Sequence, residues 1–307
     1  MGSLEASLEL VCADITILTS NRTPQGGDLR SEHGLSILVE LEWCDESTGT
    51  LLFDTGASGQ VLEHNLRARG ILVQDIDWVV LSHCHGDHTG GLEWLLSQPG
   101  GQFLVITHPE ITRPVYKTEP DFHFIGVDSP SLRGLGPGRW IQTRSPIQLV
   151  PGVWVSGEIP RVMEFERPRP QMVCLRDGVM QTDGEPDDLA VALDMGNGGG
   201  VVLAGCSHAG PINTLAAASE LVPGGLAALL GGLHLYDAEA AVLEDTGRSL
   251  KNLLGEGVIS GHCTGVRGEG MLDATFGERH LTFYTGDVWR FRRGAPDWVE
   301  ALAVSPR

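Results

Sequence analysis

The feature that most restricts how this chain can fold is a run of metal-type donors, His83-Cys84-His85-Gly86-Asp87-His88, set directly after the apolar run Trp78-Val79-Val80-Leu81. The apolar run reads as a buried strand, so the donors fall in the loop at its end. Imidazole nitrogen and carboxylate oxygen are donors that Zn²⁺, Fe²⁺ and Mn²⁺ accept. His83 and His85 can turn to one side of such a loop, while Asp87 and His88 face a neighbouring position. That division suits two metals that share a hydroxide and polarise a substrate oxygen. Gly86 permits the tight turn, and Gly90-Gly91 let the next helix start close by. The competing reading is a polar surface loop, which would make three histidines in six residues after a hydrophobic strand incidental; the metal reading is preferred.

These donors do not complete two sites, and histidine is sparse enough to name the rest. His208 lies in Gly205-Cys206-Ser207-His208-Ala209-Gly210, His234 in Gly231-Gly232-Leu233-His234-Leu235, and His262 in Gly261-His262-Cys263-Thr264-Gly265. Each follows a strand-like run. Taken singly, each is as readily an ordinary hydrogen-bonded histidine as a ligand. Three glycine-flanked histidines at strand ends, beside a separate metal motif, favour one shared site.

Periodicity predicts strands over residues 7–18, 35–41, 50–53, 78–81, 103–106, 153–156, 189–193, 200–204, 226–230, 257–260 and 281–284. Helices are predicted over about 60–69, 91–97, 211–221 and 238–254, the last with Leu243, Leu250, Leu253 and Leu254 as its core stripe. Strands flanked by helices in both halves imply an α/β chain of two sheets packed face to face with helices outside. No linker divides the chain, so residues 1–307 read as one domain. Two irregular stretches, near 112–150 and 160–188, read as insertions that shape a pocket.

Forty carboxylates against 21 Lys and Arg give a net charge of −19. That field repels phosphate backbones and anionic membrane surfaces, which argues for a small-molecule substrate and against nucleic acid or a membrane. The most apolar stretch, residues 226–235, is too short to span a bilayer. The first ten residues carry Glu5 and Glu9 and no basic region, unlike a secretory signal. Six scattered cysteines do not read as a disulfide framework. The expectation is a cytoplasmic protein.

The segments Phe53-Asp54-Thr55-Gly56 and Leu81-Ser82-His83-Cys84-His85-Gly86-Asp87-His88-Thr89-Gly90-Gly91-Leu92, with the later glycine-flanked histidines, resemble the metallo-β-lactamase superfamily. Glu32-His33-Gly34-Leu35-Ser36, Gly157-Glu158-Ile159-Pro160-Arg161 and His262-Cys263-Thr264-Gly265 resemble the branch named after the archaeal dihydropterin–ribofuranosylaminobenzene phosphate synthase. The resemblance implies an αβ/βα four-layer sandwich with the metal centre at one edge of the sheets. It implies His83 and His85 on a first metal, Asp87 and His88 on a second, and His262 completing the second. It gives Asp54 the role of a carboxylate that supports the metal loop from behind. The superfamily's middle histidine is absent, with Gly157-Glu158-Ile159-Pro160 near its place. Its bridging aspartate is replaced by Cys206, with His208 two residues on. His208 is therefore assigned to the first site and Cys206 kept as a possible ligand.

His33, Glu158, His234 and Arg161 are assigned to the substrate pocket. The cluster Arg161, Arg167 and Arg169 would receive a phosphate or carboxylate there, or else is a solvated loop. Cys84 should point away from the metals, and the tryptophans pack. The favoured function is a hydrolase of a small ester, lactone, thioester or phosphoester acting through a metal-bound hydroxide, with Asp87 relaying the proton. Zinc is the expected metal, one or two per chain, with manganese or iron as alternatives. Two rival readings stand beside it: the transferase chemistry of the branch's namesake, displacing diphosphate, and a non-catalytic metal-binding protein.

Overall fold

The computed structural model describes residues 8–24, 27–136, 138–295 and 299–302. An eight-stranded sheet runs, in spatial order, Glu300–Leu302, Val288–Arg292, Leu10–Thr19, Ser36–Trp43, Thr48–Phe53, Trp78–Val80, Leu104–Thr107 and Trp140–Gln142. A seven-stranded sheet runs His280–Thr282, Leu254–Gly261, Leu226–Gly232, Gly200–Ala204, Ala190–Asp194, Val153–Val155 and Ile147–Val150. Residue 7 of the first expected strand lies outside the described residues.

The period-two alternation of strand side chains makes the layers. Ile37, Val39, Leu41, Leu51, Phe53 and Val80 of the first sheet meet Val201, Leu203, Ala228, Leu230 and Ile259 of the second in a shared central core. Their sequence neighbours face the other way. Leu38, Leu52 and Val79 pack under Leu62, Leu66, Leu92 and Leu95 of the helices Gly59–Ala68 and Leu92–Ser97. Val202, Ala204 and Leu229 pack under Ile212, Leu215, Leu250 and Leu272 of the helices Pro211–Ser219, Ala240–Leu253 and Gly265–Phe276. Each such buried aliphatic side chain contributes about 1.5–3 kcal/mol of transfer free energy. The architecture is the αβ/βα four-layer sandwich.

Both stretches read as irregular contain regular elements. Val115–Lys117 and His123–Phe124 from the first join Met172–Arg176 and Val179–Thr182 from the second in a separate four-stranded sheet. The strands are short, and Val179–Thr182 is exposed throughout, so no apolar alternation marks it. The helix Gly265–Phe276 has no counterpart among the expected elements, because Gly265, Gly268 and Gly270 lower its propensity. Gly268 is needed there, since a β-carbon would lie 2.8 Å from Leu235 Cβ. The expected leucine stripe is corrected too. Leu253 is exposed at the helix end and Leu254 opens the next strand, while Thr246 and Gly247 complete the buried face.

On one side of each sheet the strands run parallel out to the edge. The segments that carry His83, His208, His234 and His262 follow the carboxyl ends of these strands, where open α/β sheets bind ligands.

Candidate metal centre

Asp54 fastens the histidine segment to the sheet. It follows Thr48–Phe53 and accepts from Ser82 N and Ser82 Oγ, both at 2.7 Å. Its Oδ2 also lies 2.6 Å from His88 Nδ1. The segment is partly helical rather than an open loop: Gly86–Thr89 forms one turn, with Thr55 N donating to His88 O. On the opposite side Cys84 N donates to Asp187 Oδ2 at 2.8 Å, and Arg113 pairs with Asp187 and Asp183 at 2.6 Å each. Cys84 itself is buried in the core under the helices, away from the donors.

Two donor sets result. His83, His85 and His208 bring ring nitrogens within 4.8 Å of one another, and His33, Asp87 and His262 do the same with a carboxylate oxygen among them. Asp87 Oδ2 is 3.4 Å from His33 Nε2, 3.4 Å from His262 Nε2 and 3.8 Å from His88 Nε2. Cys206 sits between the sets, grouped with His83 and His88, its Sγ 3.1 Å from His88 Nε2. The structure thus brings together all six assigned donors and Cys206.

The electrostatics of the first set suit ligation. Burial holds His83, His85 and His208 below the usual imidazole range, keeping each in the neutral form that offers a lone pair. Burial also opposes charge on Asp87, but His88 and His262 outweigh it and hold the carboxyl well below its ordinary value. At His88 burial is again opposed, here by Asp54 and Asp87, and the ring is raised. His85 Nε2 and His208 Nε2 are buried without a hydrogen-bond partner. Buried polar atoms are nearly always bonded, so these orphaned nitrogens, in one group with His83, fit a divalent cation.

Backbone strain gathers here as well. Asp54 (φ 63), Glu185 (φ 46), Ser207 (φ 56), His234 (φ 48) and His262 (φ 50) are non-glycine residues in the left-handed region. Such residues cluster at functional sites, where the surrounding fold over-determines them. Gly205 must lack a side chain, because a β-carbon would lie 2.1 Å from Ser82 Oγ.

A cavity of about 650 Å³ opens above the donors, lined by His33, Asp87, His234 and His262, and by Lys117, His123 and Phe124 from the small sheet. Glu158 and Arg161, assigned to this pocket from sequence, are corrected: neither lines it. Glu158 is engaged by Arg144 at 2.5 Å and His108 at 3.2 Å. Arg161 donates to Gly184 O and to His208 O. Arg167 donates to Glu164 O, and Arg169 to His234 O and Asp237, so the arginines brace backbone around the site.

Sequence reasoning missed the acidic segment ahead of Ala190–Asp194. Glu185 Oε1 lies 2.6 Å from His208 Nδ1, an ion-pair distance off the hydrogen-bond axis. Asp188 Oδ2 accepts from Ala209 N at 2.6 Å. Burial pushes both carboxyls up to about 7. The one available signal was Glu185-x-Asp187-Asp188 directly before a strand.

A metal-type centre at the strand ends of an αβ/βα sandwich defines the class, and the chain belongs to the metallo-β-lactamase superfamily, whose family pattern matches residues 31–158. Within that superfamily it is 32% identical to the 7,8-dihydropterin-6-methyl-4-(β-D-ribofuranosyl)-aminobenzene-5'-phosphate synthase of Methanocaldococcus jannaschii, across 85% of this chain and 90% of that protein. It is also similar to a solved metal-dependent hydrolase of the β-lactamase superfamily, with 27% identity, a TM-score of 0.75, and coverage of 90% and 98% of the two chains. A diphosphatase of the PhnP family shares the fold, with a TM-score of 0.50, 16% identity, and coverage of 92% of this chain and 99% of that one. The superfamily is metal-dependent, in keeping with the donor sets. Among the described residues no helix is long and apolar enough to cross a membrane.

Proposed function

We propose that this protein is a metal-dependent hydrolase of a small ester, lactone, thioester or phosphoester. The observation that carries the reading is the convergence of two donor sets, His83/His85/His208 and Asp87/His88/His262, beneath one cavity of about 650 Å³ that His85, Asp87, His208 and His262 line. These residues would hold zinc at two positions, with manganese or iron acceptable to the same nitrogen and oxygen donors. Bound there, the cations supply an acidified water and a polarised carbonyl or phosphoryl oxygen. The chain's own groups do the rest. Asp87, kept ionised by His88 and His262, orients the water proton at Oδ2 toward His33 Nε2, 3.4 Å away. His33 is largely exposed and passes the proton to solvent. Lys117 on the wall receives an anionic part of the substrate, and Phe124 and Tyr236 keep water from the floor. The six free cysteines suit a reducing cytoplasm.

The test is to strip the protein, reload it with Zn²⁺ or Mn²⁺, and assay aryl phosphate mono- and diesters, aryl esters, a lactone and a thioester. Turnover of one class that is lost in Asp87→Ala supports the reading. The 32% identity across 90% of the archaeal synthase favours a second reading, a transferase that displaces diphosphate. Incubating the metal-loaded protein with a dihydropterin diphosphate and an aminobenzene ribofuranosyl phosphate separates the two: a joined product without hydrolysis overturns the hydrolase reading.

A further inference from the structure

Two thiols and an imidazole that the proposed chemistry does not use meet on the wall of the same cavity. Cys206 Sγ and Cys263 Sγ are 3.2 Å apart, and with a ring nitrogen of His234 they form a triad whose donor atoms lie within 4.8 Å of one another. All three residues are buried: Cys206 is 3% exposed, Cys263 8% and His234 9%. Both ring nitrogens of His234 are enclosed and lack any hydrogen-bond partner. An imidazole buried with neither nitrogen satisfied is costly unless something else occupies its lone pair.

The backbone is built to bring these donors together. They follow three adjacent parallel strands, Gly200–Ala204, Leu226–Gly232 and Leu254–Gly261, one donor from each. His234 is held in the left-handed region at φ 48, and Arg169 donates to its carbonyl. Gly232 keeps the sulfur side open, since a β-carbon there would lie 2.6 Å from Cys263 Sγ.

The structure assigns to Cys206, His234 and Cys263 a third metal position, sulfur-rich, that takes a thiophilic cation of the zinc or copper(I) class. Thiolate and imidazole together select such ions, whereas the two neighbouring sets are nitrogen- and oxygen-based. Binding converts both thiols to thiolates, and their two protons leave to solvent. Because Cys206 Sγ also lies 3.1 Å from His88 Nε2, an ion on the sulfur pair shares that sulfur with the catalytic floor. The assignment is independent of which reaction the floor performs.

Cobalt(II) tests it, because thiolate-bound Co²⁺ shows a near-ultraviolet sulfur-to-metal charge-transfer band. The full chain, reduced and stripped of metal, is titrated with Co²⁺. The band is expected in the native protein, at about half intensity in Cys263→Ser, and absent in Cys206→Ser/Cys263→Ser. Cys174→Ser, a change at a buried core thiol that does not line the cavity, is expected to leave the band intact. No band in the native protein, or a band unchanged by Cys263→Ser, overturns the assignment. A measurement on the unmutated chain guards against misfolded variants: Cd²⁺ should slow iodoacetamide labelling of Cys263 at least several-fold, and equal labelling with and without Cd²⁺ sinks the proposal.

Discussion

Asp54 Oδ2 stands 2.6 Å from His88 Nδ1 with both side chains fully buried, so a strand-end carboxylate fixes the tautomer and direction of a metal-type imidazole. The same carboxylate takes Ser82 N and Oγ, and Ser82 Oγ in turn lies 2.8 Å from His83 Nδ1. One residue thereby orients donors at both ends of the segment. Asp54→Asn keeps the volume and removes the charge. It is expected to weaken metal binding about 10–100-fold, read by competition with a chromophoric chelator. It should also lower unfolding free energy by about 3 kcal/mol, because His88 loses a buried ionic partner. Unchanged metal affinity would show that Asp54 serves packing alone.

The first donor set makes a separate prediction about stability. With His85 Nε2 and His208 Nε2 buried and unpartnered, the metal-free protein carries a desolvation penalty that a cation removes. A cation at 100 times its dissociation constant adds about 2.7 kcal/mol to the native state. Thermal melts with and without Zn²⁺ should therefore differ by several degrees in the native protein. In His208→Ala that increment should shrink and metal content should fall by about one equivalent per chain. An increment equal to the native one would remove His208 from the set.

Much of this was legible in the sequence, and for a physical reason. The donor runs sit after apolar strands and between glycines, and both signals are local. The four layers were legible because residues such as Leu51, Leu52 and Phe53 are all apolar, as strands buried on both faces must be. What escaped were properties that depend on distant chain. The small sheet pairs Val115–Lys117 with Met172–Arg176 across more than fifty residues, and its strands are too short and too exposed to show a pattern. Glu185 and Asp187 look like ordinary surface acids until the fold buries them beside His208 and Cys84. Arg161 and Glu158 failed as pocket residues because backbone carbonyls and Arg144 claim them, which no spacing reveals.

Lys117 is the test of how the pocket binds. It comes from the small sheet and lines the cavity on a chain of net charge −19, so an anionic substrate group meets an isolated favourable charge there. Lys117→Ala should raise KM about tenfold while leaving kcat near its native value, the pattern of lost uniform binding. Lys117→Glu should raise it further, and added salt should narrow the gap between variant and native protein. A loss confined to kcat would place Lys117 at the reacting atoms instead.

Glu166 gives a pH prediction from a carboxyl outside both donor sets. Its carboxylate oxygens accept from Ile212 N and Asn213 N at 2.8 Å each, at the start of the helix Pro211–Ser219. Burial pushes the carboxyl from 4.5 up to about 7, against the pull of the two backbone donors. The folded protein therefore retains a proton, between about pH 4.5 and 7, that the unfolded chain has released. Stability from this group is fully present below the lower value and is lost as pH rises through the upper one, by about 3 kcal/mol in all. Glu166→Gln cannot titrate, so its unfolding free energy should fall less than that of the native protein between pH 5 and 8. The difference in slope, from urea titrations of both proteins across that range, is the quantity that decides. Parallel profiles would mean that the two helix N–H groups keep Glu166 ionised throughout.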